Sequence, residues 1–442
     1  MKPIPYGKQH ITEADIQAVI ETLQSDYLTQ GPKIKEFEEV FAQYIGAKYA
    51  VAVANGTAAL HLCTLALDVK PGDKVITTPI TFAASANCIR YCGGEVVFAD
   101  IDPETYLLDI NEVRKLLQNA PKGTYKGIIP VDFAGRAVDL EGFRKLADEY
   151  GCWVVEDACH APGGFFIDSN GQQQNCGNGN FADLAIFSFH PVKHIACGEG
   201  GMITTNSEEL YKKLMMLRTH GITRDTNLFI NSIDFATGQT PNVNSSIAES
   251  LPQYSGKLKA NPHWPSWYME MLILGFNYRL TDFQAALGIS QLKRADEGII
   301  KRREIAAQYF EAFKSTSEIT DRNYESANRL PQHSGMPNTN SLMPTANSQL
   351  PFPNGHAHHL YVIEVEDRLG LYNHFREHQI FAQIHYIPCH LMPYYRNLGW
   401  KEGDMPQAEK YYKNCISLPM YPTLTDMEQE LVIETISNYF NV

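Results

Sequence analysis

The 442-residue sequence predicts an α/β protein: a mostly parallel central sheet with helices on both faces, plus a smaller α/β C-terminal domain. Three observations predict it. Short apolar runs at 49–54, 75–77, 96–99, 128–131 and 153–155 alternate with segments of helical spacing, the pattern of strands covered on both faces. A further apolar run, Leu184 to Phe187, stops at Ser188, and one loop later a glycine pair turns the chain into another, Met202 to Thr204. Beyond residue 290 the spacing changes to a long helix, Leu292 to Phe313, then a strand at 360–365, a helix around 371–378, a strand at 381–384 and a last helix.

Taken in order, Thr12 followed by Asp15 resembles a capping box that opens a helix with Ile16, Val19, Ile20 and Leu23 on one face. A second helix carries Phe37, Val40, Phe41 and Tyr44 at helical spacing and stops at Gly46. The polar loop between them, Asp26-Tyr27-Leu28-Thr29-Gln30-Gly31-Pro32, reads as a connector or a ligand loop. Thr425-Asp426-Met427-Glu428 is a capping box for the C-terminal helix. Asn227 to about Ser266 and Ser315 to about Ala357 are rich in Asn, Ser, Pro and Gly and lack steady periodicity, so both read as long insertions. The first is either a surface insertion or a flap over a neighbouring active site. The expected organisation is an N-terminal segment, 1–30, packing with the small domain. A large domain, 31–290, and the small domain, 291–442, follow.

Composition narrows the function classes. Apolar content of 44% with 20% charged residues is that of an ordinary globular protein, and no run approaches the roughly 18 apolar residues of a membrane span. A net charge of −13 argues against general nucleic-acid binding, though not against a phosphate site made of backbone N–H groups. The N-terminus lacks a basic start followed by an apolar stretch, and nine cysteines are scattered without a Cys-x-x-Cys pair. Cys88 and Cys92, one helical turn apart, read as core. A reduced, cytoplasmic protein without a metal site is expected.

Ligands of such sheets sit at the carboxyl ends of the strands, so the residues there are the candidates. Asn55-Gly56-Thr57-Ala58 follows the first strand and opens a helix, where exposed N–H groups and the Thr57 hydroxyl form a phosphate cradle or a plain cap. It is not the Gly-x-Gly-x-x-Gly of a dinucleotide fold. Phe82, after the second strand, offers a ring to stack on a planar cofactor or to pack in the core. The fifth run ends in Glu156-Asp157-Ala158-Cys159-His160. A carboxylate at that place either caps a helix or, paired with a pyridinium nitrogen, keeps the ring protonated and electron-accepting. His160 either orients that carboxylate, touches the ring or is structural. Lys193 stands on the loop after Ser188. Scarce solvent there lowers a lysine pKa and suits a Schiff base. A cradle, a ring, a carboxylate and a lysine in this order describe a pyridoxal 5′-phosphate site.

The chain resembles the DegT/StrS-type aminotransferases of nucleotide-sugar metabolism. The resemblance runs from Ile4-Pro5-Tyr6-Gly7 to the last helix, apart from the two insertions. Within the family it is most similar to the transaminases that make UDP-4-amino-4,6-dideoxy-N-acetyl-β-L-altrosamine. That narrower likeness rests on Leu28-Thr29-Gln30-Gly31, Ser188-Phe189-His190-Pro191-Val192-Lys193, Arg218-Thr219-His220-Gly221-Ile222-Thr223, Gly275-Phe276-Asn277-Tyr278-Arg279 and Gln383-Ile384-His385-Tyr386. The resemblance implies the fold-type I architecture of pyridoxal-phosphate enzymes, with Lys193 in the Schiff base and Asp157 on the ring nitrogen. It implies Phe82 and His160 beside the ring and Gly56, Thr57 and Ser188 on the phosphate. Asn277 would reach the cofactor of a neighbouring subunit, hence a homodimer with shared active sites. Tyr6, Asp26, Tyr27, Leu28, Thr29, His385 and Tyr386 would lie near the sugar nucleotide. The implied reaction moves an amino group from L-glutamate to carbon 4 of a UDP-linked 4-keto-6-deoxy-N-acetylhexosamine, for pseudaminic acid synthesis. A dehydratase of the same fold needs another group where Lys193 stands. A regulatory relative without catalysis would be expected to lack Lys193 or Asp157. Other nucleotide-sugar 3- or 4-aminotransferases remain the alternative.

Overall fold

The computed structural model describes residues 2–237, 264–325 and 355–441. Most of the first insertion and of the second lies outside the described residues. A seven-stranded sheet forms the centre, built from β1 (Tyr49–Val53), β2 (Lys74–Thr77), β3 (Glu95–Phe98), β4 (Tyr125–Ile129), β5 (Trp153–Asp157), β6 (Leu184–Ser188) and β7 (Gly201–Thr205). Their spatial order is β1-β7-β6-β5-β4-β2-β3. All neighbours are parallel except that β7 runs antiparallel to both β1 and β6. The β6–β7 connection is therefore a hairpin, while the parallel pairs need helical crossovers.

Alternation along the strands divides the apolar side chains between two cores. Val51, Val53, Ile186 and Ile203 face one layer, and Ala50, Ala52, Phe187 and Met202 face the other. Phe37 and Phe41 of the helix Pro32–Ile45 close the second layer, Phe41 lying edge-on to Phe187 at 4.9 Å. That helix ends at Gly46 in the left-handed conformation, as its sequence requires. Gly201, first in β7, lies so close to the chain after β1 that a Cβ there would fall 2.7 Å from the Asn55 carbonyl carbon. Only glycine lets β7 start level with the end of β1. A third core gathers Ile4, Tyr309, Tyr361, Phe375, Ile416 and Val432 around the pair Tyr361–Glu364 and Cys415–Leu418.

Two local expectations need correction, and for a third element the structure adds a direction that spacing left open. The strand expected at 381–384 is two residues, Ile380–Phe381, paired in parallel with Ile4–Pro5. The chain then leaves the pair and turns towards the crevice. The long helix does not begin at Leu292. One helix, Asp282–Leu292, ends there and another, Ala295–Phe313, starts after Arg294 leaves helical geometry (φ −122°, ψ 18°). Arg294 and Gln291 are drawn to Asp15 and the His10 carbonyl, which breaks the run. The third concerns the helix Glu13–Leu23. Its capping box forms, but Asp15 and Thr22 point inward, while Ile16, Ile20 and Leu23 are 45%, 39% and 54% exposed. The apolar face looks outward because buried Asp15 holds Arg294 and Gln291 on Asp282–Leu292.

Candidate active site

The β6–β7 hairpin loop carries Lys193. Phe189 N–H donates to the Gly200 carbonyl, Cys197 N–H to Phe189, and Lys193 N–H to His190, so the loop folds back on itself. Phe189 and Ile195 are buried beneath it. Burial lowers the Lys193 pKa and the charge on Arg302 lowers it further. Cys159 and Asp157 pull it partly back. Its Nζ lies 3.5 Å from His359 Nε2 and makes no ion pair among the described residues.

Asp157, 5% exposed, ends β5. Its Oδ2 accepts from Ser85 Oγ at 2.6 Å and its Oδ1 from Cys159 N–H at 3.2 Å. Ser85 spends its proton on Asp157, so Thr81 Oγ1, 2.8 Å away, donates to Ser85. The chain Thr81–Ser85–Asp157 fixes the carboxylate from behind. No helix follows Asp157, so capping does not explain it. Neither does an ion pair, since none forms among the described residues.

Gly56 is the first residue of the helix Gly56–Ala66, whose cap Asn55 accepts from Ala58 N–H. A Cβ at Gly56 would press on Ser188 Cβ at 3.1 Å, which places the helix start against the end of β6. Gly56, Thr57 and Ser188 thus share one corner at the sheet's carboxyl edge.

His160 is buried, its Nδ1 accepting from Ala134 N–H at 3.3 Å. Its Nε2 lies 3.2 Å from the Tyr386 hydroxyl. With Nδ1 an acceptor, Nε2 carries the hydrogen. Tyr386 is bracketed by Phe133, by His160 and by Phe82, whose ring centres are 6.1, 6.2 and 6.4 Å away. Phe82 is 63% exposed, so it is no core residue and stands free at the strand end. His385 Nδ1 meets Ser417 Oγ at 2.9 Å, and its ring lies 5.1 Å from Tyr6. Burial, with the Lys193 charge, pushes its pKa down to about 3.

His194, His359 and Ser85 were not among the expected site residues. The His359 ring lies tilted against His160 at 4.2 Å, and the Ala357 carbonyl accepts from His194 Nε2 at 2.9 Å. The signal was present in Gly355-His356-Ala357-His358-His359, where three imidazoles in four residues follow the second insertion. Burial drives the pKa of His160, His194, His356, His358 and His359 well down, so the lysine is walled by neutral imidazoles.

The other expected residues are not gathered into this cluster. Asp26, Tyr27, Leu28 and Thr29 are exposed. Their loop is tied to the helix Asp282–Leu292 by Asp282 N–H to the Leu28 carbonyl and Gly31 N–H to Asp282. Asn277 is exposed too, its backbone bridged to Thr219. The neighbouring Tyr278 carbonyl accepts from Ala54 N–H at 2.8 Å, which brings this segment beside the end of β1.

The fold is that of pyridoxal-phosphate-dependent aminotransferases. Residues 9–437 match the DegT/DnrJ/EryC1/StrS aminotransferase family, and the chain belongs to that family. It is 34% identical over 441 residues to the spore coat polysaccharide biosynthesis protein SpsC of Bacillus subtilis, covering 98% of this chain and 96% of the relative. Among solved structures it resembles Helicobacter pylori PseC, an aminotransferase involved in the biosynthesis of pseudoaminic acid. The identity is 27%, with TM-score 0.76 and both chains wholly covered. It also resembles the proposed sugar aminotransferase Spr1654 of Streptococcus pneumoniae in its PLP form, at 26% identity and TM-score 0.77, covering 99% of each chain. Members of this family use pyridoxal 5′-phosphate, and the residues present fit it. Among the described residues the buried Asp157 carboxylate has no cation and Lys193 no ion pair, and the glycine-opened helix start adjoins Ser188. The chain is a sugar aminotransferase, and among the described residues no helix is long and apolar enough to cross a membrane.

Proposed function

We propose that this chain transfers the amino group of L-glutamate to carbon 4 of a UDP-linked 4-keto-6-deoxy-N-acetylhexosamine, UDP-2-acetamido-2,6-dideoxy-β-L-arabino-hex-4-ulose, in pseudaminic acid biosynthesis. The likeness to PseC over the whole of both chains supports this reading. The observation that carries the chemistry is Lys193, partly buried, with a lowered pKa and no ion pair among the described residues.

When bound, pyridoxal 5′-phosphate supplies a carbonyl that takes up the amino group and a ring that delocalises negative charge. The chain's residues do the rest. Lys193 Nζ, its pKa lowered by burial, would remove the proton from the donor's α-carbon in one half-reaction. It delivers a proton to carbon 4 of the sugar in the other. Asp157, held by Ser85 and Cys159 N–H, would keep a proton on the ring nitrogen. Gly56, Thr57 and Ser188 would hold the phosphate, and Phe82 and His160 would lie beside the ring. Tyr6, His385 and Tyr386 line the sugar side and exclude water. Asn277 and the Asp26–Thr29 loop complete the site of a second copy in a cytoplasmic homodimer. The outward apolar face of Ile16, Ile20 and Leu23 supports that pairing, since exposed apolar stripes of this kind mark contact surfaces.

The test is incubation of the holoenzyme with L-glutamate and a panel of UDP- and dTDP-linked 3- and 4-keto-sugars, locating the new amine by NMR. Amination at carbon 4 of the UDP-β-L-arabino substrate supports the reading, and exclusive amination of another ring overturns it. SpsC, with the higher identity of 34%, supports a second reading, another nucleotide-sugar aminotransferase serving a surface polysaccharide. The same panel separates the two.

A further inference from the structure

Residues 355–360, the first described after the second insertion, form a strap against the lysine loop. Phe165 N–H donates to the Gly355 carbonyl, Ala357 N–H to the Gly135 carbonyl and Leu360 N–H to the Ala134 carbonyl, at 2.9, 2.8 and 3.2 Å. Gly135 lets the strap come this close. Its φ is +97°, and a Cβ there would fall 2.9 Å from the backbone nitrogens of His358 and His359. Arg302, 1% exposed, donates Nη1 to the carbonyls of the same two residues at 3.2 and 3.3 Å. The strap therefore carries the His359 ring on a backbone held at both its N–H and its carbonyl. That ring is 4% exposed and lies 4.2 Å from the His160 ring and 5.4 Å from the His194 ring. It brings Nε2 to 3.5 Å from Lys193 Nζ, a long contact of the kind that tightens when substrate binds.

The titratable groups acting on His359 are His160, Lys193, His194 and Arg302, with no acid among them. Burial first, then their charge, holds its pKa well down, so the imidazole is neutral. A neutral imidazole has one hydrogen to place. On Nδ1, buried with no hydrogen-bond partner among the described residues, it would be an unpaired donor. On Nε2 it points at Lys193. An N–H there is accepted only by the lone pair of an uncharged amine, since an ammonium has hydrogens alone to offer. We propose that His359 is a positioning residue for the transamination, its Nε2–H holding the uncharged Nζ of Lys193 whenever that amine is free. The proposal rests on Lys193 as the base of the reaction and deepens that reading by naming what keeps the lysine ready. The bond forms with the free amine and is lost once Lys193 takes a proton from carbon, which makes the ammonium a stronger acid that passes its proton on. Lys193 alone gains and releases that proton, and His359 keeps its own throughout.

The test reads the protonation of Lys193 directly. The full chain without cofactor is exposed briefly to an amine-acylating reagent over a pH series, and labelling of Lys193 is measured by peptide mass spectrometry. In His359→Leu the labelling midpoint should rise by about one pH unit, the shift that follows from losing a tenfold preference for the neutral amine. His359→Gln, whose side-chain amide can donate in place of the imidazole, should keep a midpoint close to the wild type. In the cofactor-loaded enzyme the limiting rate with glutamate, followed by absorbance, should fall about tenfold at neutral pH in His359→Leu and recover in His359→Gln. The half-saturating glutamate concentration should stay unchanged. An unchanged midpoint or rate in His359→Leu overturns the proposal. So does a lowered midpoint, which would mean that the imidazole accepts from an ammonium, and so does an equal shift in both variants, which would assign the effect to packing. Should His359→Leu fail to fold, nitrogen-15 spectra of histidine-labelled wild-type protein decide: a hydrogen on Nε2 of His359 supports the proposal and one on Nδ1 overturns it. The labelling uses no substrate, so wild-type protein that ignores glutamate would overturn the aminotransferase reading, while the midpoint still judges the contact.

Discussion

Asp157 and the exposed loop Asp26–Thr29 both belong to the proposed site, yet the chain treats them differently. Asp157 ends a central strand, is 5% exposed, and has both carboxylate oxygens satisfied by Ser85 and Cys159. Tyr27 and Leu28 are 54% and 50% exposed, and their loop is tied to the body by Asp282 N–H to the Leu28 carbonyl, Gly31 N–H to the Asp282 carboxylate and the Thr29–Thr281 bridge. Lys193, Asp157 and the corner of Gly56 and Ser188 all lie at one edge of the sheet. The sugar-side loops, Asn277 and the apolar face of Glu13–Leu23 are left open. A cofactor needs fixed geometry, and a sheet edge provides it. Recognition of a substrate's shape falls to loops, which can vary without disturbing the sheet.

The sharpest way to break this contrast is Lys193→Ala. Turnover with glutamate and keto-sugar should fall by at least ~10³-fold, since acid–base catalysis alone is worth about 10²–10⁴. Circular dichroism should be unchanged. Asp157→Asn should lower the limiting rate about 10- to 150-fold, from roughly 1.5–3 kcal/mol for a charged hydrogen bond. If either variant keeps wild-type turnover, the buried side is not the chemical one. On the open side, Ile16→Asp with Ile20→Asp should weaken self-association about 10- to 100-fold by sedimentation, as burying an isoleucine contributes roughly 1.5–3 kcal/mol. The same substitutions should change monomer stability by only ~0.5 kcal/mol, because both side chains are exposed. An unaltered assembly state would show that this face is not the contact.

The smallest expected effect concerns pH. His385 has a folded pKa near 3 against an unfolded value of 6.5. The unfolded chain therefore binds the extra proton as pH falls below 6.5. Stability is full above that value and is lost progressively towards pH 3, by up to about 1.4 kcal/mol per pH unit for this one group. His385→Asn should make the decline of Tm between pH 6.5 and 5 shallower than in the wild type. An equal or steeper decline would remove His385 from the buried set.

Much of the buried side was legible in the sequence. The alternating apolar runs, the stop at Ser188 and the single loop before Met202 identified the sheet and the hairpin that holds Lys193, because strands buried on both faces must be apolar. Ser85 and His359 were not legible as partners of Asp157 and Lys193. They come from positions 72 and 166 residues away in the chain, and no local period links them. The outward face of Glu13–Leu23 was hidden for a related reason. Helical spacing shows which residues share a face, not which way that face turns, and here one buried ion pair, Asp15 with Arg294, decided the orientation.

The sequence by itself determined the order of strands and helices, the caps at Thr12 and Thr425, the turn at Gly46 and the residue types at the strand ends. All of these follow from short-range rules of spacing, sterics and hydrogen bonding. Only the tertiary structure decided that Lys193 lies beside the buried imidazole of His359, that Ser85 backs Asp157, and that Arg302 is buried against carbonyls with no carboxylate partner among the described residues. Those depend on what distant segments place nearby, and desolvation and charge act through space, not along the chain.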